Sequence, residues 1–395
     1  METNFSLNIT QIPKELKLII EILTIKNDET SHPHLNEWFK DTDWDLFIEL
    51  AIHHRVFPLL SRKFKTINST LIPPHVIQTI NQTNLMNTLN MLHFSGEMEQ
   101  VCKLFAGNKI NLLNLKGPVL GVDLYGDVSL RSSGDLDFLI SINDLDKADQ
   151  LLKSHGYEKD DYIQTVLNDW KWRHHHVTYF HPKKEIKLEI HWRLNPGPGK
   201  EPSFNELWER KRVSSLTSYP VYYLGREDLF LFLVSHGARH GWSRLRWLLD
   251  INQIVGQRID WVTLSRLLKK YQYLHVGGQA LVLASQLLST PMTQEMKKLF
   301  KGNHTKRLAQ EAIYYLERMV NLHNDPVPDD VASYHKRHLY SLMSKKQKLF
   351  FILSFLYPYP EDAKTLPLPE RLHFLYFLLR PFLWAWRKTK HHALS

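Results

Sequence analysis

A chain of 395 residues with 43% hydrophobic and 12% aromatic content can bury a sizeable core in two or three domains or subdomains, which excludes a disordered scaffold. Fifty Lys and Arg against 41 Asp and Glu leave a net charge of +9, which suits an anionic substrate, a nucleic acid or an acidic membrane surface without choosing among them. The single cysteine, Cys102, excludes an intramolecular disulfide and a multi-cysteine metal cluster. The first residues lack a basic stretch followed by an apolar one, so secretion is not expected and a cytoplasmic protein is.

Residues 1–108 read as helices: Ile12–Leu23, Trp44–Leu60 and a long amphipathic pattern from about Pro74 to Phe105. The texture changes near residue 110. Ile110–Leu115 is short and apolar, Lys116-Gly117-Pro118 reads as a turn before a helical start, and Asp135–Ser141 reads as a second strand. A helix from about Asp144 to Ser154 ends at His155-Gly156. Val177–Phe180, His181–Glu185 and Ile186–Trp192 then read as strand, turn and strand, so residues 109–225 form a small α/β domain. From Arg226 to the end, residues 226–395, the chain is helical again, with breaks at Pro291, Gly302 and the Asn324–Asp330 loop. The expected class is α+β, a small mixed sheet embedded between N-terminal and C-terminal helical regions. The apolar stretch Leu372–Trp386 is short for a membrane span and is interrupted by Arg380 and Pro381. It reads as a packed terminal helix or as an interfacial helix with a basic end, the latter giving peripheral membrane contact.

Asp135 and Asp137 stand at i and i+2 in an apolar run, on the same face of a strand and roughly 7 Å apart in backbone repeat. Leu136, Phe138 and Ile140 point the other way, into a core. Arg131, Ser132, Ser133 and Gly134 just upstream offer a guanidinium, hydroxyls and a close backbone approach to phosphate. In Ile186–Trp192 the alternation puts Lys187, Glu189 and His191 on one face. Pairing of the two strands makes Glu189 a third carboxylate of one site. Three converging carboxylates need a cation, and Mg²⁺ (or Mn²⁺) takes oxygen ligands while sharing its shell with substrate phosphates. A pair of such ions suits in-line displacement at phosphorus.

Leu115-Lys116-Gly117, then Arg131-Ser-Ser-Gly-Asp-Leu-Asp137, then Leu188-Glu-Ile-His-Trp-Arg-Leu194, resembles the uncharacterised bacterial nucleotidyltransferase family within the polymerase-beta-like superfamily. Leu50–Leu60 and His236–Asp250 look like further landmarks of that family. The resemblance implies a mixed sheet, metal-binding Asp135 and Asp137, and a third acid at Glu189. It also implies tailoring of a peptide, sugar or other small acceptor. One departure is Gly117-Pro118, where the superfamily usually has Gly-Ser or Gly-Gly. The proline removes a phosphate-binding amide, which moves the triphosphate contact toward Lys116, Arg131 and Ser133.

His236 and His240 share a helix face with Arg244 and Trp247, and with His191 they are candidate acceptor or base contacts. They also read as satisfied histidines between domains, and a zinc site with Asp250 is the weaker alternative because the run has no protease-type Glu. His174-His175-His176 resembles a metal tract but stands before a strand, which suggests a half-exposed edge. Asn195–Glu201 lacks the spacing of a phosphate loop and reads as a turn.

The expected activity is metal-dependent transfer of a nucleoside monophosphate from a nucleoside triphosphate to a hydroxyl of an unidentified acceptor, with release of pyrophosphate. Asp135, Asp137 and Glu189 hold metal, and Lys116, Gly117, Arg131, Ser132, Ser133 and Gly134 bind nucleotide. The alternatives are a kinase-like phosphotransferase and a noncatalytic nucleotide-binding adaptor. Nucleic acid is a less favoured partner because the basic excess is diffuse and carries no aromatic-basic motif.

Overall fold

Seven strands, β1 (Leu112–Asn114), β2 (Leu136–Ile140), β3 (Glu158–Lys159), β4 (His176–His181), β5 (Ile186–His191), β6 (Arg212–Ser214) and β7 (Val221–Tyr223), build one mixed sheet. Their order is β3-β4-β5-β2-β1-β7-β6. The computed structural model describes residues 5–25, 38–67, 71–300, 302–322 and 326–392, so residues 324 and 325 of the expected Asn324–Asp330 loop lie outside them. Helices flank the sheet on both sides in sequence, which gives the α+β arrangement expected.

The central pairing is β2 with β5. They run parallel, with Asp137 opposite Glu189 and Phe138 opposite Ile190. On the other side β1 pairs antiparallel with β2, and β4 forms a hairpin with β5. Side-chain alternation then divides the sheet into two faces. Leu136, Phe138, Ile140, Ile186, Leu188 and Ile190 are buried against Met91, Met98, Val101 and Phe105 of the Pro74–Gly107 helix. Each such side chain removed from water contributes about 1.5–3 kcal/mol. Leu113, Leu115 and Leu139 enter a second core that also takes in helices from both ends of the chain. Asp137, Glu189 and His191 alternate onto this second side, so they lie between the sheet and the helices rather than in open solvent.

The expected Trp44–Leu60 helix is two helices, Trp44–His53 and Phe57–Lys63. Arg55 between them takes a left-handed φ of 55°, and Pro58 lies in the first turn of the second helix, a position that proline tolerates. The Leu145–Ser154 helix ends before Gly156, whose φ of 84° is the left-handed stop that glycine supplies without strain. The last helix, Tyr376–His392, carries Pro381 inside it and is held by Asp362, which accepts from Arg380 Nη1 at 2.6 Å and Arg387 Nη2 at 2.7 Å. Among the described residues no helix is long and apolar enough to cross a membrane.

Arg131 corrects an expectation. Its guanidinium is 1% exposed and grips Asp250 of the Leu245–Val255 helix through Nε at 3.1 Å and Nη2 at 3.0 Å. Tyr125 Oη donates to the same carboxylate at 2.8 Å. A fork enclosed in this way is not presented to phosphate; it ties the loop before β2 to the C-terminal helices. The same pair removes Asp250 from any zinc site. Asp250→Ala, which leaves Arg131 buried and unpaired, is expected to lower the unfolding free energy by about 3–5 kcal/mol in urea titrations. A loss below about 1 kcal/mol would be that of a surface pair and would refute the anchoring role.

Candidate active site

Asp137 is the centre of the site. Its side chain is fully buried, and its Oδ1 lies 2.9 Å from Lys116 Nζ and 3.2 Å from His191 Nε2. Lys116 gets there because the turn after β1 is pinned beside β2, with Leu115 N–H donating to Asp137 O at 2.9 Å. His191 Nε2 also lies 3.4 Å from Glu189 Oε2, so one imidazole joins the two carboxylates that the β2–β5 register sets opposite each other. Asp135, one residue before β2, stays partly exposed. Lys187 Nζ lies 4.0 Å from Asp135 Oδ2 and 2.8 Å from Glu189 Oε1. The structure therefore brings Lys116, Asp135, Asp137, Glu189 and His191 into one cluster.

Charge balance differs among the three acids. Burial and then the neighbouring Asp137 charge push the Asp135 carboxyl up. Burial also works against ionisation of Asp137, but Lys116 and the hydrogen bond from His191 outweigh it and hold that carboxyl below its usual value. Glu189 behaves likewise, burial being overcome by His191 and His176. His191 answers in the opposite sense: burial disfavours its charge, yet Asp137 and Glu189 raise its pKa. Asp137 Oδ2 is buried without a hydrogen-bond partner. An orphaned carboxylate oxygen beside two further acids fits a divalent cation, and Asp137, Glu189 and His191 each place a ligand atom within 4.8 Å of the others.

The remaining candidates are placed as follows. Gly117, at φ 80°, begins the Pro118–Tyr125 helix, and a Cβ there would come within 3.4 Å of Leu136 Cδ2. Ser133 Oγ donates to Asp135 O at 3.0 Å, which shapes the approach to the carboxylates, and Gly134 beside it is exposed. Ser132 is buried, and its carbonyl accepts from Arg246. His236 packs on Trp247 and His240, and burial followed by the Lys116 charge drives its pKa far down, so it stands near the site as a neutral ring. Arg244 donates to the His53 carbonyl and, at 3.1 Å, to Asn321 Oδ1, which ties helices together away from the carboxylates. The His236 and His240 pair is not among the metal-capable groups of the described residues.

Four residues of the site escaped the sequence reading. His175 and His176 are half-buried as expected, but they face the site: their rings lie 5.3 and 4.9 Å from that of His191, and the three form a second metal-capable group. The hairpin register carried the signal, since His176 is directly opposite His191. Arg239 is half-buried; its Nη1 is 3.4 Å from His175 Nε2, its Nε has no partner, and it is attracted by Tyr273 and then by Glu189 and Asp137. Arg55, in the break between two N-terminal helices, is attracted by Asp135. Both lie in the stretches Leu50–Leu60 and His236–Asp250 that resemble family landmarks, but no local pattern ties either arginine to the acids, because each comes from a helical region distant in sequence.

The model of the uncharacterised nucleotidyltransferases matches residues 40–289. The chain belongs to this family. The matched stretch holds every part of the cluster, from Arg55 through the three acids to Arg239, and ends before the helices from Asn303 onward. No curated protein and no solved structure is recognisably similar to this nucleotidyltransferase family member. Replacing Lys116 by Met should move the Asp137 titration upward, because Lys116 is the strongest of the charges that favour its ionised form. Carboxyl ¹³C chemical shifts followed against pH read this directly, and an unchanged curve would mean that Lys116 does not keep Asp137 ionised.

Proposed function

We propose that the chain transfers a nucleoside monophosphate from a nucleoside triphosphate to an acceptor hydroxyl. The observation that carries this is the buried Asp137–Glu189 register with its orphaned oxygen, ringed by cations that no carboxylate outside the site claims. Asp135, Asp137 and Glu189 would hold Mg²⁺ or Mn²⁺. Such an ion, when bound, neutralises phosphate charge and lowers the pKa of an oxygen nucleophile. Membership of a nucleotidyltransferase family supports the nucleotide as donor.

The chain's own groups divide the rest of the work. Lys116, Arg55 and Arg239 bind the triphosphate, with Arg239 taking the role expected of Arg131. Arg239 suits it because its guanidinium is desolvated, which strengthens a charge-assisted hydrogen bond. Asp135 is the most exposed of the three acids and the one whose carboxyl is pushed up, so it accepts the proton of the acceptor hydroxyl. The acceptor oxygen bonds to the α-phosphorus as the bond to the bridging oxygen breaks, and pyrophosphate leaves. His236 and Trp247 line the approach as neutral packing groups.

Incubation with each α-labelled nucleoside triphosphate and Mg²⁺ should release pyrophosphate and give a labelled monophosphate adduct. Release of a nucleoside diphosphate would instead favour a phosphotransferase. Asp137→Asn and Glu189→Gln are expected to lower turnover by about 10²–10³-fold with an unchanged circular dichroism spectrum. Arg239→Ala should weaken nucleotide binding by about tenfold or more. Full turnover in Asp137→Asn would refute the site.

A further inference from the structure

Arg239 has a second environment. On the side away from the carboxylates it forms part of the wall of a cavity of about 370 Å³. One wall comes from the family-matched stretch, through Trp172, Asn195 and Tyr273, and the other from Leu342, Met343 and Phe351 in the C-terminal helices. A second cavity, of about 200 Å³, shares Trp172, Pro198 and Ser354 with the first. A third, of about 460 Å³, shares Leu356 and Phe377 with the second. Through these shared walls the three follow one another from Arg239 to Phe377 and Trp384 of the Tyr376–His392 helix.

The outer face of the Lys345–Ser354 and Tyr376–His392 helices is apolar and uncovered among the described residues. Leu356, Leu378, Phe382 and Trp386 are 63%, 73%, 74% and 65% exposed. Lys345, Lys346 and Lys388 on the same two helices are exposed as well. Large apolar and aromatic groups on helices that also carry exposed lysines complement an anionic bilayer surface, where rings enter the interface and ammonium groups meet lipid phosphates. Within the groove, aliphatic and aromatic walls leave few partners for a sugar or a peptide backbone, whose polar groups would be stranded there. Asn195 Nδ2 and Arg239 Nε, both buried and without a partner, offer donors to a hydroxyl in the cavity beside Arg239.

We infer that the acceptor is a hydroxyl-bearing amphiphile taken from an anionic membrane surface. The outer face docks on the bilayer, the apolar chain lies along the groove, and the hydroxyl passes Arg239 to reach the carboxylates. This inference rests on the nucleotidyl-transfer reading. The amphiphile's oxygen forms a bond to the α-phosphorus, the bond from that phosphorus to the bridging oxygen breaks, the hydroxyl proton goes to Asp135, and pyrophosphate departs. The product is a phosphodiester joining the nucleoside to the amphiphile. The groove's outer wall lies beyond the family-matched residues, so this acceptor class is a property of this chain's C-terminal helices.

The test uses the full chain and two readouts. In flotation, vesicles of equimolar phosphatidylcholine and phosphatidylserine should carry the protein and pure phosphatidylcholine should not. Leu378→Glu combined with Phe382→Glu should weaken that binding at least about tenfold, since each side chain kept out of the interface accounts for about that factor. With α-labelled nucleoside triphosphate and Mg²⁺, vesicles containing oleyl alcohol should gain label in the lipid phase. Met343→Trp, which fills the groove, should abolish that labelling while vesicle and nucleotide binding persist; Leu339→Trp on the same wall replaces it should the first variant unfold. Vesicle binding untouched by the double variant, or labelling of glycerol in place of oleyl alcohol, overturns the inference. So does a dimer that forms without vesicles and is dissolved by the double variant, which would show a second copy on this face. Vesicle binding without nucleotide binding defeats the nucleotidyl-transfer reading and the acceptor assignment with it, whereas nucleotide binding without vesicle binding defeats the inference alone.

Discussion

Like charges forced together in a layer with little water set the terms for everything around them. The parallel pairing of β2 with β5 puts Asp137 opposite Glu189, and no rotamer change can separate residues whose backbones share a ladder. The chain answers with counter-charge at three depths. Lys116 and His191 touch the carboxylates, Lys187 covers the open side, and Arg55 and Arg239 act from a greater distance. Most of the surrounding polar chemistry follows from that imbalance. The buried oxygen of Asp137 that still lacks a partner is where the balance remains incomplete.

Two kinds of arginine have to be separated in such a setting. Arg131 is as close to the acidic loop in sequence as a phosphate ligand would be, yet its fork is closed on Asp250 and capped by Tyr125. Arg239 is a hundred residues further along and has no carboxylate in contact. The difference lies in what surrounds each guanidinium after folding. The Arg131 fork is held by Asp250 through Nε and Nη2, with Nη1 buried and unpartnered, whereas a cation without a paired anion is poised for one. The helices that deliver Arg55 and Arg239 therefore do more than cover the sheet: they complete its charge.

Much of this was legible in the chain itself. The i, i+2 spacing of Asp135 and Asp137 and the alternation through Glu189 and His191 placed the acids on one side of two strands, and a period of two survives folding because the pleat imposes it. The C-terminal stop at Gly156 was readable for a similar local reason. The short strands β3, β6 and β7 were not, since two or three residues carry no period. The break at Arg55 had a signal in Pro58, which ends a helical pattern before it, but the left-handed turn at Arg55 itself is carried by a residue of ordinary helical composition. His175 and His176 are half-buried as read, and what was missed is their approach to His191, which the β4–β5 register sets. Arg131 was misassigned because its partner lies 119 residues away.

The grip of Arg131 on Asp250 also bears on how such a protein can change over evolutionary time. A sheet that carried only its own acids could be exchanged between chains as a portable unit. Here the loop leading into the acids ends in a cation whose counter-charge sits in the next region, so a graft lacking the Leu245–Val255 helix would arrive with a stranded guanidinium beneath its reactive centre. Recombination is confined to cuts beyond that helix. The stretch after residue 289, which forms the far wall of the groove, is itself tied in, because Leu299, Ala309, Ile313 and Leu316 enter the same core as the helices before it and His338 meets the Ala238 carbonyl at 3.0 Å, so acids and groove would have to travel together.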